Sequence, residues 1–396
     1  MTEIGESTGT TPSSCRSVTV AVVGCGYWGS KHVRVLHSVA GVRGVIAVDC
    51  DDRVLGHLSA HHPAIRCANS LEEVVETADA VIVATPPRTH ATVARDALEA
   101  GCHVMVEKPL ATSVAEAESL ITLADDKDLV LMSGHTFEYN PAVWKLREII
   151  QRGDLGQVFH VNTARLNLGL FQGDVNVLWD LAPHDVSILN FILDARPTTV
   201  SAWAGAHAHN HVEDVAYLRL YFEDLGLAAQ VHVSWLDPCK VRRVTVVGSR
   251  KMAVYDDLAE DERIKVFDKG VALNDVHHGA GSSDGGRRPA AYRHGGIESP
   301  FVDFREPLEV EDETFVRSAL TGSRPPSDGR SGLAVVQILS AAEESLRQGQ
   351  GRPVDVTYSP LLDSDRKPGL ESHLGPDPDP QFDSVAATAN GWRPRP

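Results

Sequence analysis

The feature that most constrains the fold is a glycine-spaced turn near the start of the chain. Residues 24–29 read GCGYWG, directly after the β-branched run from Val18 to Val23, and they open an amphipathic helical pattern. Gly24 permits a tight turn, Gly26 leaves the backbone open to a close approach, and Gly29 lets the helix pack on the strand. The pattern predicts the first strand, turn and helix of a Rossmann-type sheet.

The same alternation of short apolar runs and amphipathic stretches continues to about residue 139. Further strands are predicted at Val42 to Asp49, Ala80 to Thr85, His103 to Glu107, and Leu129 to Gly134. Capping boxes predict helix starts at Ser70 with Glu73 and at Ser113 with Glu116. Such alternation is typical of βαβ units, so we predict a doubly wound parallel sheet.

The pattern of predicted strands and helices changes after Asn140. Strands follow one another there without intervening helices, which indicates a mainly antiparallel or mixed sheet. The predicted strands are 158–168, 199–203, 216–222, 228–235 and 241–247, and the predicted helices are 141–151, 182–193, 310–320 and 332–348. The predicted fold class is therefore α/β, with an N-terminal Rossmann doubly wound parallel sheet plus a C-terminal α+β domain.

These patterns divide the chain into two domains and two tails. We predict a Rossmann domain over residues 17–139 and an α+β substrate and oligomerisation domain over residues 140–355. The polar, Ser/Thr/Gly-rich or Pro/Asp-rich compositions of 1–16 and 356–396 indicate disordered tails. A Gly/Ser/His/Arg-rich stretch from Val276 to Gly296, which contains His277 and His278, is interpreted as a mobile loop or lid.

The charge balance excludes several partners. Acidic residues outnumber basic ones by 54 to 37, and the net charge of -17 repels nucleic acid backbones and anionic lipid heads.

No apolar run approaches the roughly 20 residues of a membrane span, and the N-terminus lacks the features of a signal peptide. The six cysteines form no CxxC pair, as expected of reduced thiols. We expect a soluble, cytoplasmic protein without nucleic acid or membrane partners.

The glycine turn also predicts the cofactor. A helix that begins at such a turn offers free amide donors and a positive dipole end to a dinucleotide pyrophosphate. Asp49 ends the second strand, twenty residues after Gly29, where a carboxylate binds both ribose hydroxyls and repels a 2′-phosphate. Asp51 and Asp52 add to this repulsion, whereas Arg53 is either a solvated helix residue or a contact for a 2′-phosphate. NAD is therefore expected in preference to NADP.

Lys108, Asp180 and His184 are the candidate catalytic residues. Asp180 and His184 lie four residues apart at the predicted start of a helix, so both project from one helix face. A neutral His184 can take a hydroxyl proton in oxidation and return it in reduction. Lys108 leaves the carboxyl end of a strand, the edge at which ligands bind, and its ammonium can stabilise a developing alkoxide. Asp180 either orients His184, binds a substrate hydroxyl, or caps the helix.

Several ordered motifs resemble one known family. The glycine motif, Ala84-Thr85-Pro86-Pro87 with His90, Glu107-Lys108-Pro109, and Asp180 with His184 together resemble the glucose-fructose oxidoreductase, inositol dehydrogenase and MocA-like (Gfo/Idh/MocA) family over about residues 18–353. The resemblance implies an oxidoreductase acting on CH–OH groups, with Lys108 and His184 catalytic and Asp180 assisting. It also implies homodimers or homotetramers supported by the second sheet. Glu107 is expected to position Lys108 or the nicotinamide pocket. The expected cofactor-binding residues are Gly24, Gly26, Tyr27, Trp28, Gly29, Asp49, Thr85, Pro86, Pro87, His90, Glu107 and Lys108.

Three segments are similar to the nucleotide-sugar branch of that family: 134–141 (GHTFEYNP), 165–169 (RLNLG) and 174–185 (DVNVLWDLAPHD). The glycine-rich run of many cyclitol and free-sugar members is absent from 174–182, which disfavours those substrates. The branch implies oxidation at C3 of a UDP- or dTDP-glucose type hexose to the 3-keto sugar. Transamination by a partner aminotransferase would follow, in amino-sugar or aminohydroxybenzoate biosynthesis. The expected substrate-binding residues are Tyr139, Asn140, Arg165, Asn167, Asn176 and Trp179.

Other interpretations stay open at this point. The same His and Lys serve an inositol or free-sugar dehydrogenase, a 3-ketosugar reductase, or a redox-assisted glycosidase that retains its cofactor. A different class is a catalytically silent NAD-sensing regulator, which would not need these two side chains. His207, His209 and His211 alternate as on one strand face and suggest zinc, but no Cys or carboxylate neighbour completes a ligand set, so no metal is expected.

Overall fold

The N-terminal part of the chain forms a six-stranded parallel sheet in the computed structural model, which describes residues 17–169, 175–208, 211–272 and 291–362. Its strands are β1 (Val18–Val23), β2 (Val42–Val48), β3 (Arg66–Ala68), β4 (Ala80–Val83), β5 (His103–Glu107) and β6 (Leu131–Gly134). The spatial order is β3-β2-β1-β4-β5-β6, so the direction of winding reverses between β1 and β4. Ligands of such sheets bind in the crevice at this reversal, beyond the carboxyl ends of the strands. The predicted Rossmann fold is confirmed.

Helices cover both faces of this sheet. They are α1 (Gly29–Leu36), α2 (Asp52–His61), α3 (His90–Glu99) and α4 (Val114–Asp126). The central strands are buried on both sides, because all of Ala80–Val83 and the middle of β1 have no exposed surface. Burial on both faces explains why these strands read as continuous apolar runs rather than as alternating patterns.

A second sheet of nine strands is mixed, as predicted. Its strands are β7 (Val158–Leu168), β8 (Thr199–Gly205), β9 (Val215–Phe222), β10 (Leu227–Ser234), β11 (Leu236–Gly248), β12 (Met252–Asp256), β13 (Ile264–Ala272), β14 (Ala291–Glu298) and β15 (Val354–Asp355). Their order is β14-β13-β12-β11-β7-β10-β9-β8-β15. The β7–β10 pair is parallel and the other pairs are antiparallel.

One face of the second sheet packs against helices. The remaining helices are α5 (Pro141–Gln151), α6 (Val177–Leu193), α7 (Pro307–Thr321) and α8 (Gly329–Arg347). Helix α6 packs on β10, and α8 packs on β8. Side chains alternate along β9, where Leu218 and Leu220 are buried while Tyr217 and Tyr221 are 47% and 40% exposed. The opposite face of the sheet therefore presents aromatic rings to the outside.

Helix α6 begins five residues before the predicted start at Ala182. The side chain of Asn176 accepts a hydrogen bond from the Trp179 amide and caps the helix at its first turn. Pro183 lies inside the helix, where its missing N–H and fixed ring conceal the helical pattern in the sequence. The cap and the proline explain the late prediction.

The two capping boxes have different outcomes. The Ser113 side chain accepts from the Glu116 amide and begins α4, which confirms that helix start. The prediction of a helix start at Ser70 with Glu73 is wrong, because residues 72–77 form hydrogen-bonded turns. The segment between β3 and β4 is too short to hold a helix of ordinary length and still return to the sheet.

Part of the predicted loop from Val276 to Gly296 is a strand. Residues from Ala291 onward form β14, which pairs with β13, so the loop prediction is wrong there. The rest of that stretch, with His277 and His278, lies outside the described residues, as do 1–16 and 363–396 of the predicted tails. Residues up to Tyr358 belong to one compact unit, and the short 3-10 helix Pro360–Leu362 belongs to a second. Within the described ranges, no helix is both long and apolar enough to cross a membrane.

Ser113 caps a helix and Ser70 does not, and this difference provides a test by protein stability. Ser113→Ala should lower the free energy of unfolding by about 1 kcal/mol because α4 loses its cap. Ser70→Ala is the matched control and should change it by less than about 0.5 kcal/mol, since no helix begins there. Urea unfolding followed by circular dichroism measures both, and equal losses would contradict the assignment of Ser113 as the cap.

Candidate active site

The glycine turn lies at the carboxyl end of β1 with one face open. Gly24 has φ +85°, and a Cβ there would come within 2.7 Å of the Thr85 backbone nitrogen. A Cβ on Gly29 would collide with the carbonyl oxygen of Gly24, so α1 packs tightly on the turn. A Cβ on Gly26 would meet nothing within 4 Å. The exposed backbone at Gly26, in front of the amino end of α1, fits a pyrophosphate.

Asp49 fixes the turn to the end of β2. Its carboxylate accepts hydrogen bonds from the backbone nitrogens of Cys25, at 2.8 Å, and Asp51, at 2.9 Å. Arg53 is paired with Asp51 at 2.7 Å and is highly exposed, as expected of a solvated helix residue. The surroundings of Asp49 therefore remain acidic, which favours NAD over a 2′-phosphorylated cofactor.

Tyr27 and Trp28 project beside the turn. Their rings meet edge to face at 5.5 Å, and the Lys31 ammonium lies 4.0 Å from the Tyr27 ring and 4.6 Å from the Trp28 ring. The Tyr27 side chain is 72% exposed. Both rings are thus placed to flank a bound dinucleotide, which keeps their cofactor contact as a prediction.

His90 joins the loops that follow β4 and β5. Its ring is buried, with Nδ1 2.8 Å from the carbonyl oxygen of Pro109 and Nε2 2.8 Å from that of Thr85. Burial lowers the pKa of His90. The loop residues Thr85, Pro86 and Pro87 remain partly or fully exposed at the crevice. His90 therefore supports this loop from behind, and the loop itself faces the cofactor position.

Lys108 and Asp180 meet although Lys108 follows a strand of the parallel sheet and Asp180 lies on α6. Lys108 immediately follows β5, and its Nζ lies 2.6 Å from the Asp180 carbonyl oxygen and 3.2 Å from Asp180 Oδ1. The other carboxylate oxygen of Asp180 accepts from the indole nitrogen of Trp235 at 3.1 Å. Asp180 therefore holds the Lys108 ammonium in a fixed position.

His184 lies one turn after Asp180 on α6. Its ring is partly buried against the edge of Phe137, at 5.2 Å between ring centroids, and its Nδ1 is buried without a hydrogen-bond partner among the described residues. Burial, followed by the nearby charges of Lys108 and Arg165, lowers the pKa of His184 well below its usual value. The ring is neutral at neutral pH and can accept a proton.

Arg165 lies beside His184, and its contacts with neighbouring side chains hold its guanidinium in place. Its guanidinium is buried, pairs with Asp185 at 2.7 Å, and stacks over the Phe137 ring at 4.3 Å. Asn167, two residues further along β7, is partly exposed. Arg165 therefore shapes the surroundings of His184, while substrate contact by Asn167 stays a prediction.

Two predicted substrate residues are structural. Tyr139 is 1% exposed, and its hydroxyl is bonded to the Ser327 hydroxyl at 2.8 Å. Asn140 is also 1% exposed, caps α5 through the Ala142 amide, and donates to the Tyr255 hydroxyl at 3.0 Å. Because these polar atoms are already used in the core, we withdraw the expectation that they contact substrate.

Two further predicted substrate residues lie at the start of α6. Asn176 is partly exposed, caps the helix and donates to Glu213 at 2.9 Å. Trp179 is 6% exposed and donates its indole N–H to Glu343 at 2.7 Å. Both side chains hold α6 in place, and their contact with substrate stays a prediction.

Behind Lys108, Glu107 belongs to a buried cluster whose other residues were not predicted. His32 of α1 has Nδ1 2.8 Å from Asp312 Oδ1 and Nε2 3.1 Å from Glu107 Oε1, and all three side chains are buried. His135, which directly follows β6, is 1% exposed, and neither ring nitrogen has a partner among the described residues. No sequence spacing connects these residues, since Asp312 lies 280 positions after His32.

The histidines that suggested zinc do not share a strand face. His207 follows β8, and its Nδ1 lies 2.8 Å from Asp214 Oδ1. His211 has a left-handed backbone with φ 76°, and His209 lies outside the described residues. In the part of the chain that the structure describes, no group of three or more His, Cys, Asp or Glu side chains is arranged to hold a metal ion.

The fold and the site define an NAD-binding oxidoreductase, and comparison with known proteins gives its family. Residues 18–135 match the family profile described as "Oxidoreductase family, NAD-binding Rossmann fold", and residues 143–254 match "GFO/IDH/MocA C-terminal domain". The chain belongs to the Gfo/Idh/MocA family.

Individual relatives cover most of the chain. It is 28% identical to UDP-N-acetylglucosamine 3-dehydrogenase of Acidithiobacillus ferrooxidans over 83% of this chain and 98% of that protein. It is 21% identical to inositol 2-dehydrogenase of Rhizobium meliloti over 84% of this chain and 98% of that protein. The solved structure of GenD2 from gentamicin A biosynthesis in complex with NAD has a TM-score of 0.71 and 27% identity, covering 90% of this chain and 100% of that one.

The environment of His184 predicts the pH dependence of oxidation. A base must be unprotonated to act. Because the pKa of His184 is lowered well below the usual 6.5, the ring stays unprotonated in solutions whose pH is below 6.5. The ratio kcat/KM for alcohol oxidation should therefore stay level down to pH 6.5 and fall only at lower pH. A pH-rate profile from NADH absorbance tests this, with NAD+ affinity measured at each pH as the control. An acid limb centred at or above pH 6.5 would contradict the assignment.

Proposed function

We propose that this chain oxidises C3 of a nucleotide-linked hexose, of the UDP- or dTDP-glucose type, to the 3-keto sugar with NAD+ as the hydride acceptor. The observation that carries the proposal is the meeting of Lys108, Asp180 and His184 at the carboxyl edge of the NAD-binding sheet. An ammonium that is held at Asp180 and a neutral imidazole one helical turn after Asp180 are the pair that oxidation of a secondary alcohol requires.

Each side chain has a separate task in this reaction. His184 accepts the proton of the substrate hydroxyl, and the Lys108 ammonium stabilises the negative charge that develops on the same oxygen. Asp180 orients Lys108 through the contacts at 2.6 and 3.2 Å. Bound NAD+ supplies the hydride acceptor, with the glycine turn and Asp49 holding its pyrophosphate and adenosine ribose. In the reverse direction, His184 returns the proton.

Local cations support an anionic substrate. The net charge of -17 opposes the approach of a nucleotide diphosphate, so binding needs positive charge close to the site. Arg242 on β11 lies near enough to His184 and to Tyr27 to contribute to lowering the pKa of each. Its side chain is 38% exposed, and its contact with Asp257 is long at 3.4 Å. Arg242 is therefore our candidate for the diphosphate.

The named relatives favour the same substrate class over its alternatives. UDP-N-acetylglucosamine 3-dehydrogenase acts on a nucleotide sugar at C3, and it matches 83% of this chain at 28% identity. Inositol 2-dehydrogenases match either at 21% identity over 84% of this chain or at 29% over only 48% of it. GenD2 belongs to the biosynthesis of gentamicin A. We infer that the keto sugar passes to a partner aminotransferase, in amino-sugar or aminohydroxybenzoate biosynthesis.

The second sheet supports self-association. Its outer face carries Trp203, Tyr217 and Tyr221, which are 43%, 47% and 40% exposed, and the Tyr217 ring stacks on His232 at 4.1 Å. Exposed aromatic rings in such a group are typical of protein interfaces. We infer a homodimer or homotetramer formed through this face.

Substrate profiling tests the proposal directly. Purified protein and NAD+ are mixed with UDP- and dTDP-hexoses, myo-inositol and free glucose, and NADH is followed at 340 nm with and without an aminotransferase and amino donor. We expect turnover with a nucleotide hexose, increased when the ketone is removed. Turnover of only inositol or glucose would replace the proposal with the cyclitol or free-sugar reading. No turnover despite NAD binding would favour the sensing regulator.

Substitution of the catalytic pair should separate chemistry from binding. Lys108→Ala and His184→Ala should each lower kcat by at least about a hundredfold, because one loses alkoxide stabilisation and the other the proton acceptor. NAD+ affinity, measured by calorimetry, should remain. Lys145→Ala and His294→Ala, which change the same residue types outside the site, should retain activity. A wild-type kcat in either Lys108→Ala or His184→Ala would refute the mechanism.

A further inference from the structure

The His32 ring is held as a cation between two carboxylates. Both of its nitrogens face carboxylate oxygens, at 2.8 Å for Asp312 and 3.1 Å for Glu107, and only a doubly protonated ring donates to both. Burial opposes this charge, but Asp312 and Glu107 outweigh it and raise the pKa of His32 well above its usual value. Burial likewise works against ionised Glu107, yet contact with His32 lowers its pKa. Burial raises the pKa of Asp312, and the His32 cation opposes that shift.

Two other buried titratable groups beside the cluster, Glu311 and His135, have pKa values shifted toward their neutral forms. Burial, then repulsion from Glu107, raises the pKa of Glu311 well above its usual value, and its side chain accepts from the Thr136 hydroxyl at 2.8 Å. Burial lowers the pKa of His135 to about 4. Lys108 is paired with Asp180. The His32, Glu107 and Asp312 side chains therefore leave a single net negative charge.

Glu107 transmits this arrangement to the catalytic lysine. One carboxylate oxygen faces His32, and the other accepts the backbone N–H of Lys108 at 3.1 Å. Gly134 on the neighbouring strand leaves room for the carboxylate, because a Cβ there would lie 3.0 Å from Glu107 Cα and 3.3 Å from Oε2. The Glu107 side chain is thus fixed from several directions, and so is the backbone from which Lys108 extends.

The cluster lies at the end of the sheet where the nicotinamide would be held. With the glycine turn holding the pyrophosphate and Asp49 the adenosine ribose on the β2 side, the nicotinamide half would extend toward β4, β5 and β6. Glu107 is the last residue of β5. An oxidised nicotinamide ring is cationic and a reduced one is neutral, so a nearby negative charge favours NAD+.

We propose that His32, Glu107 and Asp312 form a positioning cluster that fixes the backbone of Lys108 and supplies one net negative charge beside the nicotinamide. Its positioning role rests on the proposed function of Lys108. Its charge role depends only on NAD binding, so the two can be tested separately. His32 and Asp312 act through Glu107 and are positioning residues.

The charge role is tested without any sugar. Asp312→Asn removes one negative charge as long as the proton stays on His32 or passes to Glu107, and the amide oxygen still accepts from His32. Because release of that proton would restore the wild-type charge, the measurement is made from pH 8 down to pH 5.5, where the cluster retains its proton most fully. The dissociation constant of NAD+ divided by that of NADH, measured by calorimetry on the full chain, should rise by about threefold to tenfold. Glu306→Gln is the matched control, because Glu306 joins α7 to Arg34 of α1 at the surface. In Glu306→Gln this ratio should equal the wild-type ratio.

The positioning role is tested with the substrate that the profiling identifies. His32→Gln should lower kcat at least about tenfold, with KM for the sugar and NADH affinity each changed by less than about threefold. An unchanged cofactor ratio in Asp312→Asn would overturn the charge role, and a wild-type kcat in His32→Gln would overturn the positioning role. If His32→Gln does not fold, kcat of Asp312→Asn decides instead, with the same tenfold expectation. If the wild-type protein binds both cofactors but oxidises no sugar, the proposed function is refuted. The ratio of NAD+ and NADH dissociation constants in Asp312→Asn then still decides the charge role of the cluster.

Discussion

The contact between the Lys108 ammonium and Asp180 is the interaction on which the site depends. It joins the end of β5, in the parallel sheet, to the first turn of α6, which packs under the mixed sheet. Because Asp180 accepts with both its backbone carbonyl and its side chain, Lys108 has little freedom to turn away from the crevice. His184 reaches the same place because it lies one helical turn further along α6. One contact between the end of β5 and α6 therefore brings the cation and the base to the same site.

The residues that could be predicted from sequence are those whose placement is local. A strand end fixes the position of Lys108, and a spacing of four residues places Asp180 and His184 on one helix face. The glycine turn is likewise defined by consecutive residues, and the structure gives each glycine the expected surroundings. The parallel and mixed sheets followed from the order of strands and helices, since that order limits which neighbours can pair.

Predictions that needed side-chain direction were less successful. Tyr139 and Asn140 lie within a motif near the site, but a motif does not show which side chains turn inward. Asn140 and Asn176 cap helices, a use for which Asn is as well suited as for binding a sugar hydroxyl. The His32 and Asp312 contact joins residues far apart in the chain and has no periodic signature, so only the folded chain shows it.

The ion pairs buried near the site contribute to its chemistry more than to the stability of the fold. An ion pair removed from water gains less from attraction than it loses in solvation unless its geometry is good, and apolar residues of similar size often stabilise a core as well. The chain nevertheless buries Arg165 with Asp185 beside His184, and His32 with two carboxylates behind Lys108. Arg165 acts on His184 in two ways: its charge contributes to lowering the pKa of His184, and its guanidinium stacks on the Phe137 ring that packs against His184. A phosphate-bearing substrate needs a cation that it can reach, and Arg242, which is 38% exposed and pairs with Asp257 only at 3.4 Å, fits that task better than the buried Arg165.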